Sequence, residues 1–287
     1  MKSTSTLFTF LLACIMFAGC DSGKTIESKY FSISEPRGTL FTTEEKPTDD
    51  VCGVTFYFDR DSSAYATLTV FPMQQHDTES ALNTQTVGGA NYTLHDMQFS
   101  TPVPLDAGSA KGWKTSMKGK MLSKECSGDI ACLDIDNAYV VAISVGPEGA
   151  PVSLDKLIKS LKVNKAAVDE LQADTARYVD AIAKTAQISL PMQIDETTEW
   201  NHIQVNHKFK TVFNVFMVPG PAGDYEGLDE LLEEGRKDMV ASLRGDNSGD
   251  LLISIPVSLG YNIGYTYMTN DDYKIVGTIV LQNSELR

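Results

Sequence analysis

The cysteines are the first residues of this sequence to consider as reactive groups. The 287 residues include five, namely Cys14, Cys20, Cys52, Cys126 and Cys132. A cysteine nucleophile needs a neighbouring base and a lowered pKa. Cys52 shares one face of a predicted strand with apolar residues, so we interpret it as a buried structural thiol.

Cys20 ends a segment that is typical of a secretory signal. Lys2 is the only charged residue before an apolar run, residues 7–17. The positive start, the short apolar run and the small-residue exit predict a signal peptide over residues 1–19. Residues 17–20 (Phe-Ala-Gly-Cys) resemble a bacterial lipobox, which implies that Cys20 is lipidated and begins the mature chain. A plain signal peptide cut nearby and a retained anchor are the alternatives.

The residues after Cys20 set the expected location of the protein. Residues 20–29 are polar and short, and we predict a lipidated tether there. In enteric lipoproteins an aspartate directly after the cysteine favours retention at the inner membrane, so Asp21 slightly favours that membrane. The lipid bilayer is therefore a predicted partner through acylated Cys20, and the folded body faces the periplasm.

Cys126 and Cys132 are predicted to form a disulfide, because an exported chain meets an oxidising compartment. A Gly-Asp pair between them is the natural turn of a hairpin, whose strands would place the two side chains opposite each other. The same register places Lys124 opposite Asp134. A bridge between Cys52 and one of these two cysteines is the alternative.

Lysines alternate with apolar side chains along residues 111–124. Trp113, Met117 and Met121 share one parity, and the other parity holds Lys114, Lys118, Lys120 and Lys124. A strand with this pattern buries the sulfur and aromatic face and presents a row of lysines. Lys114, Lys118 and Lys120, the lysine row, form a candidate site for an anionic partner or lipid headgroups. Internal pairing with acidic residues, at roughly 0.2–1 kcal/mol per pair, is the alternative.

The sequence contains no recognisable catalytic motif. G-x-S-x-G, H-E-x-x-H, the phosphate-binding loop and C-x-x-C are all absent. The four histidines are His76, His95, His202 and His207. An odd spacing directs His202 and His207 to opposite faces of a strand, which argues against a shared zinc ion. Asp59, Asp61 and residues 246–250 lack the spacing of a calcium-binding EF-hand. We therefore predict no cofactor, no metal and no enzymatic activity.

The elements around these residues predict a strand-rich first domain, residues 30–164. Its main predicted strands are residues 52–58, 65–71, 112–125 and 133–145. An amphipathic helix over residues 154–163 closes it. This order, opened by residues 30–38 (Tyr-Phe-Ser-Ile-Ser-Glu-Pro-Arg-Gly), resembles the PsbP/Mog1/DcrB-like fold. The resemblance implies an antiparallel sheet packed by helices and a non-catalytic accessory, adaptor or binding role.

Residues 165–287 predict a second domain in the order α-β-β-α-β-β. The predicted helices are residues 166–186 and 227–243, and the predicted strands are residues 197–205, 209–218, 259–268 and 273–281. Residues 209–218 are apolar on both faces, as expected of a central strand. The fold class is therefore α+β, with two domains that are each an antiparallel sheet packed by helices.

The composition limits the possible partners. The chain has 24 basic and 38 acidic residues and a net charge of −14. Such a body repels nucleic acid and anionic headgroups, so we exclude nucleic acid as a partner and expect neither to be a general ligand. Its hydrophobic content of 42% and charged content of 22% are ordinary for a globular protein.

We interpret the chain as a non-enzymatic lipoprotein of the periplasmic side of the cell envelope. It would act as a binding or envelope-accessory module with an unidentified envelope protein as partner. An immunity lipoprotein that neutralises a secreted toxin or enzyme is the alternative, since it would also be small, acidic and anchored. A hydrolase of unknown type is the second alternative.

Overall fold

The structure, a computed structural model, describes residues 24–74, 78–87, 94–107, 110–121, 124–187, 190–245 and 251–287. The predicted signal peptide, Cys20 and Asp21 lie outside the described residues. The described chain has an α+β fold, in which sheets of mainly antiparallel strands are packed by helices. No helix within these ranges is long and apolar enough to cross a bilayer.

The first half of the chain builds one large and one small sheet. Its strands are β1 (Thr25–Glu27), β2 (Phe31–Ser34), β3 (Phe41–Thr48), β4 (Val51–Tyr57), β5 (Tyr65–Phe71), β6 (Leu94–Phe99), β7 (Val103–Ala107), β8 (Ala110–Met121), β9 (Lys124–Ile135), β10 (Ala138–Gly146) and β11 (Lys162–Val163). Its helices are α1 (Thr78–Val87) and α2 (Leu154–Ser160). The eight-stranded sheet has the order β3-β4-β5-β10-β9-β8-β6, with β7 also paired to β8, and β1-β2-β11 form the small sheet.

The second half adds helices and a five-stranded sheet of order β12-β13-β14-β15-β16. Its helices are α3 (Lys165–Ala173), α4 (Thr175–Gln187), α5 (Leu228–Gly245), α6 (Leu251–Ser258) and α7 (Asn283–Leu286). Its strands are β12 (Met192–Gln193), β13 (Glu199–Asn206), β14 (Thr211–Val218), β15 (Asn262–Thr269) and β16 (Ile275–Leu281). Strands β14 and β15 are parallel, because α5 and α6 form a crossover between them. The predicted antiparallel second sheet is confirmed at its other pairings, and this one pairing departs from it.

The predicted alternation along β8 is confirmed. Met117 and Met121 are buried, whereas Lys118 and Lys120 on the opposite parity are exposed. Trp113 is half-buried beside the two methionines. The sulfur and aromatic face of β8 therefore belongs to the core.

The predicted disulfide between Cys126 and Cys132 is wrong. Strand β9 runs without a turn from Lys124 to Ile135, so both cysteines lie on one strand. Cys126 lies opposite Gly119 on β8, and Cys132 lies opposite Trp113. Six residues of extended chain separate the two thiols by roughly 20 Å, too far for a covalent bond. The alternative bridge to Cys52 is also not formed, since all three cysteines are free and buried.

The error arises from Gly128, which we assigned to a hairpin turn. Gly128 lies inside β9, where an added Cβ would lie 2.0 Å from the Ser144 carbonyl oxygen and 2.7 Å from the Val145 Cα. The glycine is thus required for close approach of two strands. The true turn follows β9 at Asp136 and Asn137, whose φ angles of 50° and 67° suit a two-residue hairpin.

The corrected register changes the partners of the lysines. Lys124 lies opposite Met121, and Asp134 lies opposite Lys111. The predicted pair between Lys124 and Asp134 is therefore wrong.

Helices α3 and α4 connect the two large sheets. The predicted single helix over residues 166–186 is divided in two at Asp174. Gln172 donates to the Pro72 carbonyl on the first sheet, and the buried Val179 belongs to a core that continues to Val212 on the second. Side chains on helix α4 therefore lie at the junction of the two halves of the chain.

Candidate binding cleft

An open cleft of about 670 Å³ lies where the β1–β2 turn, the β3–β4 turn and the C-terminal end of α4 meet. Its charged lining residues are Lys29, Lys46, Lys184 and Asp49. Cations therefore outnumber anions in the cleft, although the whole chain carries a net charge of −14. This local reversal of charge makes the cleft the strongest candidate site of the described chain.

The first wall of the cleft lies in the segment that we assigned to a tether. Residues 20–29 were predicted to link the lipid to the fold, but Thr25–Glu27 form β1 and Ile26 is only 4% exposed. Strand β1 then turns through Ser28 and Lys29, which line the cleft. The folded body thus begins within five residues of Cys20.

The second wall is the end of an edge strand. Strand β3 is the outermost strand of the large sheet, and its pairing with β4 shifts register between Glu45 and Thr48. Pro47, which has no N–H to donate, lies within this irregular segment. The regular ladder therefore ends at the cleft, and Lys46 and Asp49 are exposed there.

The third wall is the last part of α4. Gln187 fixes it to the second sheet, because its Oε1 accepts a hydrogen bond from the Ile203 N–H at 2.8 Å and its Nε2 donates to the Asn201 carbonyl at 3.4 Å. The side-chain amide of Gln187 thus forms hydrogen bonds with backbone groups on the outer edge of β13. Lys184, in the last turn of α4, is exposed and lies where the helix dipole favours a cation.

Asp50 holds the walls together. Its Oδ1 accepts a hydrogen bond from the Tyr30 hydroxyl at 2.7 Å. The same oxygen accepts from Arg177 on α4 at 3.0 Å and from Lys29 at 3.3 Å. The carboxylate is nearly buried, so these donors replace the water that it would otherwise bind. One acidic side chain therefore joins the three segments that form the cleft.

The ionisation of this cluster is fixed at neutral pH. Burial raises the pKa of Asp50, but hydrogen bonds from Tyr30, Arg177 and Lys29 outweigh it and hold the pKa below its usual value. Burial and the hydrogen bond to Asp50 raise the pKa of Tyr30, which therefore stays protonated as a donor. Asp50 is thus a permanent carboxylate with a positioning role.

The cluster leaves two lysines available for a ligand. Lys29 is paired with Asp50, whereas neither Lys46 nor Lys184 forms an ion pair with any described residue. Cys52, only 3% exposed, contributes to the same cleft as a free thiol, in agreement with the predicted burial. The cleft can therefore attract an anion through the exposed ammonium groups of Lys46 and Lys184.

The predicted lysine row lies elsewhere on the large sheet. Lys114 lies 3.3 Å from Asp155 on α2, and Lys120 lies 3.3 Å from Asp96. Lys118 forms no ion pair within the described ranges. Internal pairing therefore accounts for two of the three lysines, with Asp155 and Asp96 as the partners.

The histidines do not gather at one site. His207 follows β13, and its Nδ1 lies 2.8 Å from the Tyr261 hydroxyl while its Nε2 lies 3.0 Å from Asp180 on α4. His202 lies within β13 beside Asn201, His95 lies on β6, and His76 lies outside the described residues. His207 therefore fastens the β13–β14 turn to α4.

The calcium candidates do not form a site in the part of the chain that is described. Asp59 accepts hydrogen bonds from the backbone and the hydroxyl of Ser63, which makes it part of a local turn. Residues 246–250 lie outside the described ranges. No three His, Cys, Asp or Glu side chains among the described residues are grouped closely enough to hold a metal ion.

Comparisons with known proteins give only distant similarities. No protein-family model and no curated protein matches the sequence. A Pseudomonas aeruginosa protein described as secreted covers 40% of this chain and 95% of its own, at 14% identity and a TM-score of 0.34. A Bacteroides thetaiotaomicron structure covers 83% of this chain and 77% of its own, at 11% identity and a TM-score of 0.36. A pilotin of the Vibrio vulnificus type 2 secretion system covers 42% and 97%, at 11% identity and a TM-score of 0.30. These similarities assign neither a family nor a function.

Proposed function

We propose that this chain is a non-enzymatic, lipid-anchored module of the cell envelope that binds an anionic ligand in the cleft. The observation that carries the proposal is the convergence of Lys29, Lys46 and Lys184 from three separate segments. A lysine ammonium is a mobile point charge and a common ligand for phosphate and carboxylate groups. The body faces the periplasm, where Cys20 holds it to the membrane.

The predicted anchor at Cys20 lies close to the cleft along the chain. The signal-like residues 1–19 end at Cys20, and the folded body begins at β1. Four residues of chain span at most roughly 14 Å, so Lys24 stays that close to an acylated Cys20. An acylated cysteine grips the bilayer through its buried methylene groups without help from the protein. The cleft would therefore work close to the membrane surface.

The structural roles of Asp50, Cys52 and His207 support binding over catalysis. Asp50 accepts from three donors and stays ionised, so it is poorly suited to receive a proton. Cys52 is nearly buried beside these groups. His207 is engaged by both Asp180 and Tyr261. Each group therefore has a structural role that does not require a reaction.

The binding part of the proposal is tested with inorganic phosphate as the probe. A ligand at ten times its dissociation constant stabilises the folded state by about 1.4 kcal/mol, or roughly 2–4 °C in Tm. We expect this shift in the native chain and its loss in the double variant Lys46→Glu, Lys184→Glu. The matched control is Lys159→Glu, Lys237→Glu, which changes the net charge equally on exposed residues of α2 and α5. Equal shifts in all three proteins would show only a general salt effect and would refute the cleft.

The anchoring part is tested by replacing Cys20 with serine and fractionating the cells. We expect the native chain in the membrane pellet and the variant in the soluble fraction. A variant that stays in the membrane with an unchanged mature mass would contradict lipidation at Cys20. This outcome would leave the anion-binding test unaffected.

A further inference from the structure

We infer that the anion in the cleft is the phosphate of lipid headgroups in the leaflet that holds Cys20. This inference rests on the proposed function and adds the identity of the ligand. It makes the cleft a second point of membrane contact, which sets the orientation of the body on the bilayer.

The path of the chain brings the cleft to the membrane. Lys24 is the first described residue, and β1 leads from it directly to the cleft wall at Lys29. Lys29 lies nine positions after Cys20, a contour of roughly 30 Å even when fully extended. Pairing of β1 with β2 fixes the direction of the second half of this path. A lipid on Cys20 therefore keeps the cleft beside the headgroups.

The positions of the lysines favour this face of the protein as the one that contacts the membrane. Lys24 and Lys29 come from the N-terminal segment, while Lys46 and Lys184 come from β3 and α4. Lysines close to an anionic leaflet are attracted to it over about one Debye length. The chain as a whole carries a net charge of −14, so an anionic leaflet repels the acidic remainder of the body. An anionic leaflet thus orients the body with its cleft towards the bilayer.

The openness of the cleft also fits a headgroup. Lys46 and Lys184 are exposed, so their contacts with a dissolved ion would be weakened by water and salt. A tethered protein meets the surrounding headgroups at a high effective concentration, which makes a weak site sufficient. The volume of about 670 Å³ accommodates a phosphate with its polar substituent, while the acyl chains stay in the bilayer.

The test uses residues 20–287 with Cys20→Ser, so that neither acylation nor the apolar signal segment can mask weak binding. The probes are vesicles of phosphatidylcholine alone and of phosphatidylcholine mixed with phosphatidylglycerol, and binding is measured by co-sedimentation. We expect binding to the mixed vesicles only, with a decrease as salt is raised. Adding Lys46→Glu and Lys184→Glu should reduce the bound fraction at least about tenfold, because two attractive charges become repulsive. Adding Lys159→Glu and Lys237→Glu instead should leave most of the binding intact.

The outcomes separate the inference from the proposed function. Stabilisation by inorganic phosphate without vesicle binding would overturn the headgroup inference and leave a soluble anion as the ligand. Absence of both would overturn the proposed function as well. Equal loss of binding in the cleft variant and the control would show general charge attraction and refute the cleft. Far-UV circular dichroism and Tm without anion check folding, and the milder Lys46→Gln, Lys184→Gln variant replaces the reversal if that one fails to fold.

Discussion

Arg177 on α4 donates a hydrogen bond of 3.0 Å to Asp50, which lies 127 residues earlier in the turn between β3 and β4. The contact joins the edge of the large sheet to the helix that also carries Lys184. Two walls of the cleft thus depend on one nearly buried carboxylate. The relative position of Lys46 and Lys184 is therefore a consequence of tertiary structure.

The first prediction concerns Asp50. Asp50→Ala should lower the free energy of unfolding at pH 7 by about 3 kcal/mol, because Tyr30 and Arg177 lose a shared buried acceptor. The pKa of Asp50 is lowered in the folded state, so its contribution is present above the unfolded pKa of about 4 and is lost as the pH falls through the folded value. Urea denaturation of both proteins from pH 7 downwards measures the difference.

The control for this prediction is Asp49→Ala in the same turn. Asp49 is exposed, so its loss should change the free energy of unfolding by less than about 0.5 kcal/mol. A gap between the native chain and Asp50→Ala that stays constant below pH 4 would contradict the assigned ionisation.

The second prediction concerns Gly128. Gly128→Ala should destabilise the protein by about 3 kcal/mol, since the added Cβ would lie 2.0 Å from the Ser144 carbonyl oxygen. Gly235→Ala on α5 is the matched control, because its Cβ would meet no atom within 4 Å. That change should stabilise the protein by about 0.5–1 kcal/mol through helix propensity. Thermal denaturation of the two variants measures the cost of the close contact at Gly128 against a glycine with open space around it.

Local periodicity predicted much of the fold. Residues 65–71 were predicted as a strand, and β5 has those same bounds. The acidic start and basic end of α5 match the helix dipole and marked that helix correctly. The prediction of a hairpin turn at residues 126–132 was wrong. A glycine that allows a neighbouring strand to approach closely looks the same in the sequence as a turn glycine. Asp136 and Asn137, the true turn, adopt positive φ at little cost, a property that we did not use.

The cleft could not be predicted from sequence patterns. Lys46 and Lys184 are far apart in the chain and belong to no shared motif. Their proximity depends on contacts of Asp50 and Gln187 that cross between elements. The lysine row was visible because its members lie on one strand, yet partners such as Asp155 on α2 also required the tertiary fold. The sequence therefore predicted which element carries each lysine. The convergence of the lysines depends on tertiary packing and could not be predicted.

The third prediction concerns the thiols. Cys126 and Cys132 should remain free after export, because they lie on one strand, roughly 20 Å apart. Burial raises the pKa of Cys132 to about 12, so its thiolate is scarce at pH 8 and its reaction with iodoacetamide should be slow in the folded protein. Mass spectrometry after alkylation without reduction should show full labelling of the cysteines in urea. In the folded protein it should show little labelling of Cys132. A cross-linked peptide containing either cysteine would contradict the free state.

The last prediction ranks two contacts of His207. Its contact with Asp180 joins two side chains that are each more than a third exposed, and such pairs contribute at most about 1 kcal/mol. Its contact with Tyr261 satisfies a hydroxyl on a residue that is only 2% exposed. His207→Ala should therefore cost about 1–3 kcal/mol by leaving that hydroxyl unpaired, and Asp180→Ala should cost less. Urea denaturation of both variants gives the ranking, and Tyr261→Phe combined with His207→Ala should recover part of the loss. If Asp180→Ala is as damaging as His207→Ala, then the ion pair, and not the buried hydroxyl, fastens the β13–β14 turn to α4.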